Sequence, residues 1–304
     1  MNKTLVYFFY CRDDINERYK ETFNLHLELI KQNIHIFNQS KFILAFDNLN
    51  NNSLIDSYKN YICDYLNLIN NYNFVIVQND PINREGIHFF NEIILKLDEY
   101  DGLLFFGHNK SDLNVHKLNI YDWITGIHFI NFYDIQDIEN KLLYDKYIAY
   151  GALPVYLNIC QKIYEDINSK YIYQGSMFWL YPKKILYNYN GQLNLWKDFF
   201  NTGFNQEFIK SYNIQSLNSV FKYTAENFLD NISNFYEVCT TLNNIKPQPS
   251  YIFMKDNGVY AYFNDKLFSP YNEPITHYYL TDVQNQEFND YFNNICNTLN
   301  ISFD

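Results

Sequence analysis

The sequence predicts an α/β protein: a mainly parallel sheet flanked by helices, followed by a C-terminal hairpin and helix appendage. Three observations predict it. Short, largely apolar runs rich in β-formers recur at residues 5–10 (LVYFFY), 41–46 (KFILAF), 73–78 (NFVIVQ) and 102–107 (GLLFFG), the first of them apolar throughout. Segments with apolar residues at helical spacing separate them. Each run ends in a polar corner. Continuous apolar runs fit strands covered on both faces, and strict strand–helix alternation fits a parallel sheet with right-handed crossovers.

The elements follow in order. After the first strand, residues 16–32 carry Tyr19, Phe23, Leu27 and Ile30 at helical spacing. The second strand ends at Asp47. Ser53 is the expected cap of a helix reaching about residue 70, with Ile55, Tyr58, Ile62, Tyr65 and Leu66 on its inner face. The third strand ends at Asn79-Asp80-Pro81, and a helix is expected over 84–97. The fourth strand opens into His108-Asn109-Lys110-Ser111-Asp112.

The second half reads as more helical. Residues 114–133 are expected to be a loop region, and 134–167 helices broken at Gly151 and Pro154. Residues 171–181 (YIYQGSMFWLY) read as one strand interrupted by Gly175-Ser176. Helical patterns return at 196–212 and 216–239. Pro247-Gln248-Pro249 marks a boundary, and Asp256-Asn257-Gly258 is a hairpin signal. A last helix is expected over 285–299. The division is therefore a main domain over 1–246 and the appendage over 247–304, packed on the core.

Composition narrows the function. The 304 residues carry 23 Lys and Arg against 34 Asp and Glu, a formal net charge of -11. A duplex binder needs a concentrated cationic face, and no dense basic run exists, so nucleic acid is not expected as a partner. The aromatic content of 20% is not by itself a ligand signal. Cys11, Cys63, Cys160, Cys239 and Cys296 are scattered, with no C-x-x-C spacing, which fits a reducing compartment. The opening segment lacks the features of a signal peptide, and no run is long enough to span a membrane. A cytoplasmic protein is expected. No G-x-G-x-x-G follows the first strand, and no P-loop motif occurs, which removes the common dinucleotide and NTPase readings.

In parallel sheets, ligands sit beyond the carboxyl ends of the strands. Arg12, Asp13, Asp14, Asp47, Asn79, Asp80, His108, Asn109 and Lys110 are the polar residues there. Arg12, Asp13 and Asp14 are candidates for a base or ribose, and equally a charge cluster at a helix N-terminus. Asp47 has the same two readings. Arg84 is mildly suggestive, since a cation is unfavourable in the first turn of a helix. Gly175 and Ser176 mark either close approach to a ligand or a bulge. Trp179 reads as core before it reads as a sugar-stacking ring.

Three stretches together resemble a family of glycosyltransferase-like proteins from bacterial surface-polysaccharide clusters and phages. They are Asn79-Asp80-Pro81-Ile82-Asn83-Arg84-Glu85-Gly86, the strand ending in Gly107-His108-Asn109-Lys110, and Tyr173-Gln174-Gly175-Ser176-Met177-Phe178-Trp179. Thr224-Ala225-Glu226-Asn227-Phe228 is similar to an Ala-Glu pair on a late helix of that family. Asn109 stands where the family has threonine, and Ser111 where it has glycine. The resemblance covers roughly residues 4–240. It implies a GT-A-like (Rossmann-like) fold, a nucleotide-sugar donor and a glycan or other hydroxyl acceptor.

Glycosyl transfer needs the nucleotide held, the leaving diphosphate neutralised and, for inversion, a base for the acceptor hydroxyl. Many GT-A enzymes place an Asp-x-Asp metal motif after the fourth strand, and this chain lacks one there. The resemblance therefore implies that His108 and Lys110 contact the diphosphate directly. The competing reading is a solvated loop with a structural histidine. Glu226 is the candidate base or else a solvent-facing glutamate. No metal ligands are assigned; a divalent metal held by Asp112 with His108 is the alternative and is not favoured. The alternative function is a non-catalytic nucleotide-sugar or glycan-binding protein. A nucleotidyltransferase is a weaker third reading, because its usual paired metal carboxylates are missing.

Overall fold

A computed structural model describes residues 1–13, 16–79, 88–89, 91–109, 117–144, 149–152, 154–156, 171–173, 177–186, 238–242, 276–279 and 282–301. The first four strands fall where the apolar runs put them: β1 (Lys3–Cys11), β2 (Gln39–Phe46), β3 (Tyr72–Gln78) and β4 (Leu103–His108). Between them lie α1 (Glu17–Asn33) and α2 (Asn52–Leu66). Asn16 caps α1 by accepting from the Tyr19 amide. The cap of α2 is Asn51, not Ser53: its Oδ1 accepts from the Leu54 amide at 3.2 Å. That helix stops at Leu66 because Asn67 takes a left-handed conformation, φ 53°.

Among the described residues, eight strands form one sheet in the order β10-β9-β5-β8-β4-β1-β2-β3. The added strands are β5 (Ala149–Ala152), β8 (Phe178–Leu180), β9 (Val238–Leu242) and β10 (Thr276–Tyr279). β6 (Pro154–Tyr156) and β7 (Tyr171–Tyr173) pair separately. β8 alone runs antiparallel in the main sheet, between β4 and β5. The architecture is thus α/β, with a mixed, mostly parallel sheet flanked by helices.

Period-two alternation divides the core. Leu5, Tyr7, Phe9 and Cys11 face one side, with Phe42, Leu44 and Phe46 of β2, and α1 and α2 cover them. Val6 and Phe8 face the other side, with Ile43, Ala45, Leu104 and Phe106, beneath Phe89, Ile93, Ile94 and Leu97. The chain therefore winds from β1 to β3 with helices on one face, then returns to the far side of β1 over the other face. Crossovers of one hand require that change of face when the winding direction reverses.

Several elements differ from the sequence reading. The expected loop over 114–133 contains a helix, α3 (Lys117–Phe132). Residues 124–131 are buried without interruption, so the helix has no polar stripe to reveal its period. Of the stretch 134–167 expected to be helical, Ile135–Tyr144 forms α4, Ala149–Ala152 and Pro154–Tyr156 are strands, and residues 157–167 lie outside the described residues. β5 is a strand because β8 and β9, both distant in sequence, supply its partners. Tyr171–Tyr173 and Phe178–Leu180, expected in one strand, belong to two sheets. Val238 and Cys239, expected at the end of a helix, belong to β9. Of the helix expected over 84–97, residues 88–89 and 91–92 are helical and Ile94–Glu99 forms a tighter 3-10 turn, while 84–87 and 90 lie outside the described residues. The hairpin expected around Asn257-Gly258 lies outside the described residues.

The final helix, α5 (Asp282–Leu299), sets Phe288 and Ile295 into the same core as α1 and α3, and β10 extends the sheet beside β9. Trp179 is fully buried; its indole N–H donates to the Asn131 carbonyl at 2.8 Å and its ring stacks on Phe37. Among the described residues no helix is long and apolar enough to cross a membrane.

Candidate functional site

The order β3-β2-β1-β4 creates a switch point. The connections from β1 lead to one side, through β2 to β3, while β4 lies on the other side of β1. All four strands are parallel, so their carboxyl ends share one edge of the sheet. Strand order reverses there, between β1 and β4, and an open α/β sheet takes its ligand at such a point.

A chain of hydrogen bonds crosses these four strand ends. Asn109, just past β4, uses its Oδ1 to accept from the Tyr10 amide at 2.8 Å, and its Nδ2 donates to the Tyr10 carbonyl at 3.3 Å. The Tyr10 hydroxyl donates to Asp47 Oδ2 at 2.7 Å, just past β2. Asn79, just past β3, donates through Nδ2 to Asp47 Oδ1 at 2.7 Å. The Gln78 amide group donates to the Asp47 carbonyl at 2.7 Å. Asp47 is exposed, so a fixed carboxylate faces solvent at this edge.

The exit of β1 is also held from beneath. Tyr19 of α1 donates to the Tyr10 carbonyl at 2.5 Å, and Tyr58 of α2 donates to the Arg12 carbonyl at 3.0 Å. Burial raises the Tyr19 hydroxyl well above its ordinary value and pushes Tyr58 up to about 12, so both remain protonated donors. The Arg12 guanidinium lies 5.8 Å from the centre of the Tyr19 ring, and Asp13 beside it is exposed.

Below β1 and β4 lies a second polar group. Tyr7, His26 and His128 are wholly buried, with the Tyr7 hydroxyl 2.6 Å from His26 Nδ1 and 3.2 Å from His128 Nε2. The same hydroxyl lies 3.4 Å from the His108 carbonyl oxygen. The Tyr7 hydroxyl has one proton to give between the two imidazole nitrogens, so at least one imidazole donates to it. Burial lowers His128 to about 3, which keeps it neutral. Gly107 makes room for this arrangement, since a Cβ there would come within 2.5 Å of the Tyr7 ring.

The expected site residues fall as follows. Arg12, Asp13, Asp47 and His108 stand at the carboxyl ends of β1, β2 and β4. His108 is buried, 4% exposed, opposite Phe8 in the ladder. Asp14, Arg84, Lys110, Gly175, Ser176 and Glu226 lie outside the described residues. Among the described residues no group of three or more His, Cys, Asp or Glu could hold a metal ion.

Sequence reasoning gave Tyr10 no role, placed Asn79 and Asn109 at strand ends without one, and assigned no function to His26, His88 or His128. His88 is buried and stacks on Phe8, on the same face of the sheet as Tyr10. Period-two alternation was the available signal, because Phe8 and Tyr10 share a face with Ala45 and Asp47. No protein-family profile matches the chain, and no curated protein matches it.

Proposed function

We propose that the protein is a GT-A-like glycosyltransferase, moving a sugar from a nucleotide-sugar donor to a hydroxyl of a glycan or other acceptor in surface-polysaccharide synthesis. The observation that carries this reading is the switch point between β1 and β4, with Arg12, Asp13 and Asp47 at the strand ends around it. Doubly wound sheets take nucleotides at such a point. The motif resemblance supplies the sugar.

On this reading Asp47, with Arg12, Asp13 and Asp14, holds the nucleoside, and an acidic side chain suits ribose hydroxyls. Lys110 is the point cation for the diphosphate. His108 is buried and reaches a ligand only at the floor of the crevice. In the transfer, a bond forms between the acceptor oxygen and the sugar's anomeric carbon. The bond from that carbon to the diphosphate oxygen breaks, and the nucleoside diphosphate leaves with its electron pair. Glu226 takes the acceptor's proton. Arg84, Gly175 and Ser176 line donor or acceptor. Lysine beside a divalent ion suffers like-charge repulsion, so turnover is expected to persist in EDTA. It is expected to fall on the order of 10²–10³-fold in Lys110→Met.

Thermal-shift measurement against UDP-, GDP-, CMP- and dTDP-sugars tests the reading. One donor class is expected to stabilise the protein by about 2.7 kcal/mol at roughly a hundred times its Kd. Slow hydrolysis of that donor then separates an enzyme from a binding protein. No stabilisation by any of the four removes the proposal, and strict dependence on Mg²⁺ or Mn²⁺ removes the assignment of Lys110.

A further inference from the structure

We propose that Asn109 is a positioning residue, whose side chain ends the β1–β4 ladder in place of its own main chain and, through Tyr10, fixes the carboxylate of Asp47. The ladder itself shows the substitution. The Asn109 amide donates to the Phe8 carbonyl at 3.0 Å, the last bond from β4 to β1. A parallel ladder would continue with the Tyr10 amide donating to the main-chain carbonyl of Asn109. The Tyr10 amide instead donates to Asn109 Oδ1 at 2.8 Å.

This exchange has two consequences. Main-chain pairing of β4 with β1 ends at the bond from the Asn109 amide to the Phe8 carbonyl, while β1 runs on to Cys11. The amide also reproduces both halves of a peptide group, since Nδ2 donates to the Tyr10 carbonyl. That carbonyl receives Tyr19 as well. Tyr10 is thus held by its backbone on both sides, and its hydroxyl is directed to Asp47 Oδ2. Asn109 is buried, 6% exposed, and both ends of its amide are engaged within the protein, so it acts through Tyr10 and not on a ligand. Asparagine suits the task. Aspartate loses the donor, and alanine loses both donor and acceptor.

The functional part of this inference rests on the proposed nucleotide-sugar site, while the positioning part does not. Three measurements on Asn109→Ala, Asn109→Asp and the wild-type chain keep them apart. Hydrogen exchange at the Tyr10 amide is expected to speed up several-fold to about tenfold in Asn109→Ala, the loss of one hydrogen bond, and to stay slow in Asn109→Asp, which keeps Oδ1. Unchanged exchange in Asn109→Ala overturns the ladder substitution.

Urea unfolding of Asn109→Ala, Tyr10→Phe and the double variant tests transmission without any ligand. The Tyr10→Phe change is expected to alter the unfolding constant at least about twofold less once Asn109 is alanine. Strict additivity shows that Asn109 does not act on Asp47 through Tyr10. Should Asn109→Ala not fold, the same cycle with Asn109→Asp applies.

Binding of UDP-, GDP-, CMP- and dTDP-sugars is measured on the same proteins. A donor that binds the wild type is expected to bind Asn109→Ala roughly tenfold more weakly, in step with Tyr10→Phe. Equal affinity in all variants overturns the link to the site. If no donor binds the wild type, the proposed function fails, while exchange and the cycle still decide the positioning.

Discussion

Replacing His128 by glutamine is predicted to make the protein less sensitive to mild acid. His128 is wholly buried among Tyr7 of β1, His26 of α1, Phe105 of β4 and Phe132 of α3, and burial holds it at about 3 against an ordinary 6.5. The folded state therefore refuses a proton that the unfolded chain accepts below its ordinary value. Stability is full above 6.5, declines as pH falls below it, and stops declining near the folded value. At about pH 5 the loss from this group is about 2 kcal/mol, from about 1.5 units at about 1.4 kcal/mol each. Glutamine does not titrate, and its amide can still donate to Tyr7. Urea unfolding of both proteins at about pH 7.5 and about pH 5 reads the effect as a difference of differences, of about 2 kcal/mol. Burial raises the Tyr7 hydroxyl, so it keeps its proton throughout. Parallel pH profiles for the two proteins would refute the buried, neutral assignment of His128.

Three other outcomes follow from particular contacts. Gly107→Ala sets a Cβ within 2.5 Å of the Tyr7 ring, and is expected to cost about 1–3 kcal/mol in urea unfolding. Asn51→Ala is expected to cost about 1 kcal/mol and Ser53→Ala only a few tenths, because Asn51 makes the capping bond; equal costs would return the cap to Ser53. Glu226→Gln is expected to lower kcat while leaving donor affinity nearly intact, as loss of a transition-state base requires; full retained transfer makes Glu226 structural.

The first half of the fold was legible because its strands are covered on both faces and its helices on one. Continuous apolar runs and a 3.6-residue period state those conditions directly. Legibility failed where burial removed the contrast. Helix α3 is enclosed on all sides over 124–131, so its apolar residues show no stripe, and Thr125, His128 and Asn131 gave it the polarity of a loop. It failed again where pairing is distant, since nothing local marks Ala149–Ala152 as a partner of Phe178–Leu180. At the strand ends, Asp47 and His108 were found as polar residues after apolar runs. Tyr10 was missed because it sits inside an apolar run, and its hydroxyl acquires meaning only when β2 brings Asp47 beside it. The roles of Asn79 and Asn109 likewise depend on strand order, which no single run encodes.

Strand order would draw a ligand to the exit of β1 and β4 whatever residues stood there, but the residues decide how it lies. The end of β2 presents an exposed carboxylate held by two donors, a poor neighbour for phosphate and a good acceptor for sugar or ribose hydroxyls. Asp13, exposed after β1, adds to that bias. On the proposed reading the donor therefore lies across the edge of the sheet, its nucleoside hydroxyls toward Asp47 and its diphosphate toward the end of β4, where the sequence supplies Lys110. This orientation separates two affinities. Asp47→Asn is expected to weaken the free nucleoside of the binding donor by about tenfold, one charge-assisted hydrogen bond, and to leave inorganic pyrophosphate unchanged or slightly tighter through removal of a negative charge. Lys110→Met is expected to do the reverse. Calorimetric titration of nucleoside and pyrophosphate into both variants measures it, and loss of pyrophosphate binding in Asp47→Asn would show that the donor lies the other way round.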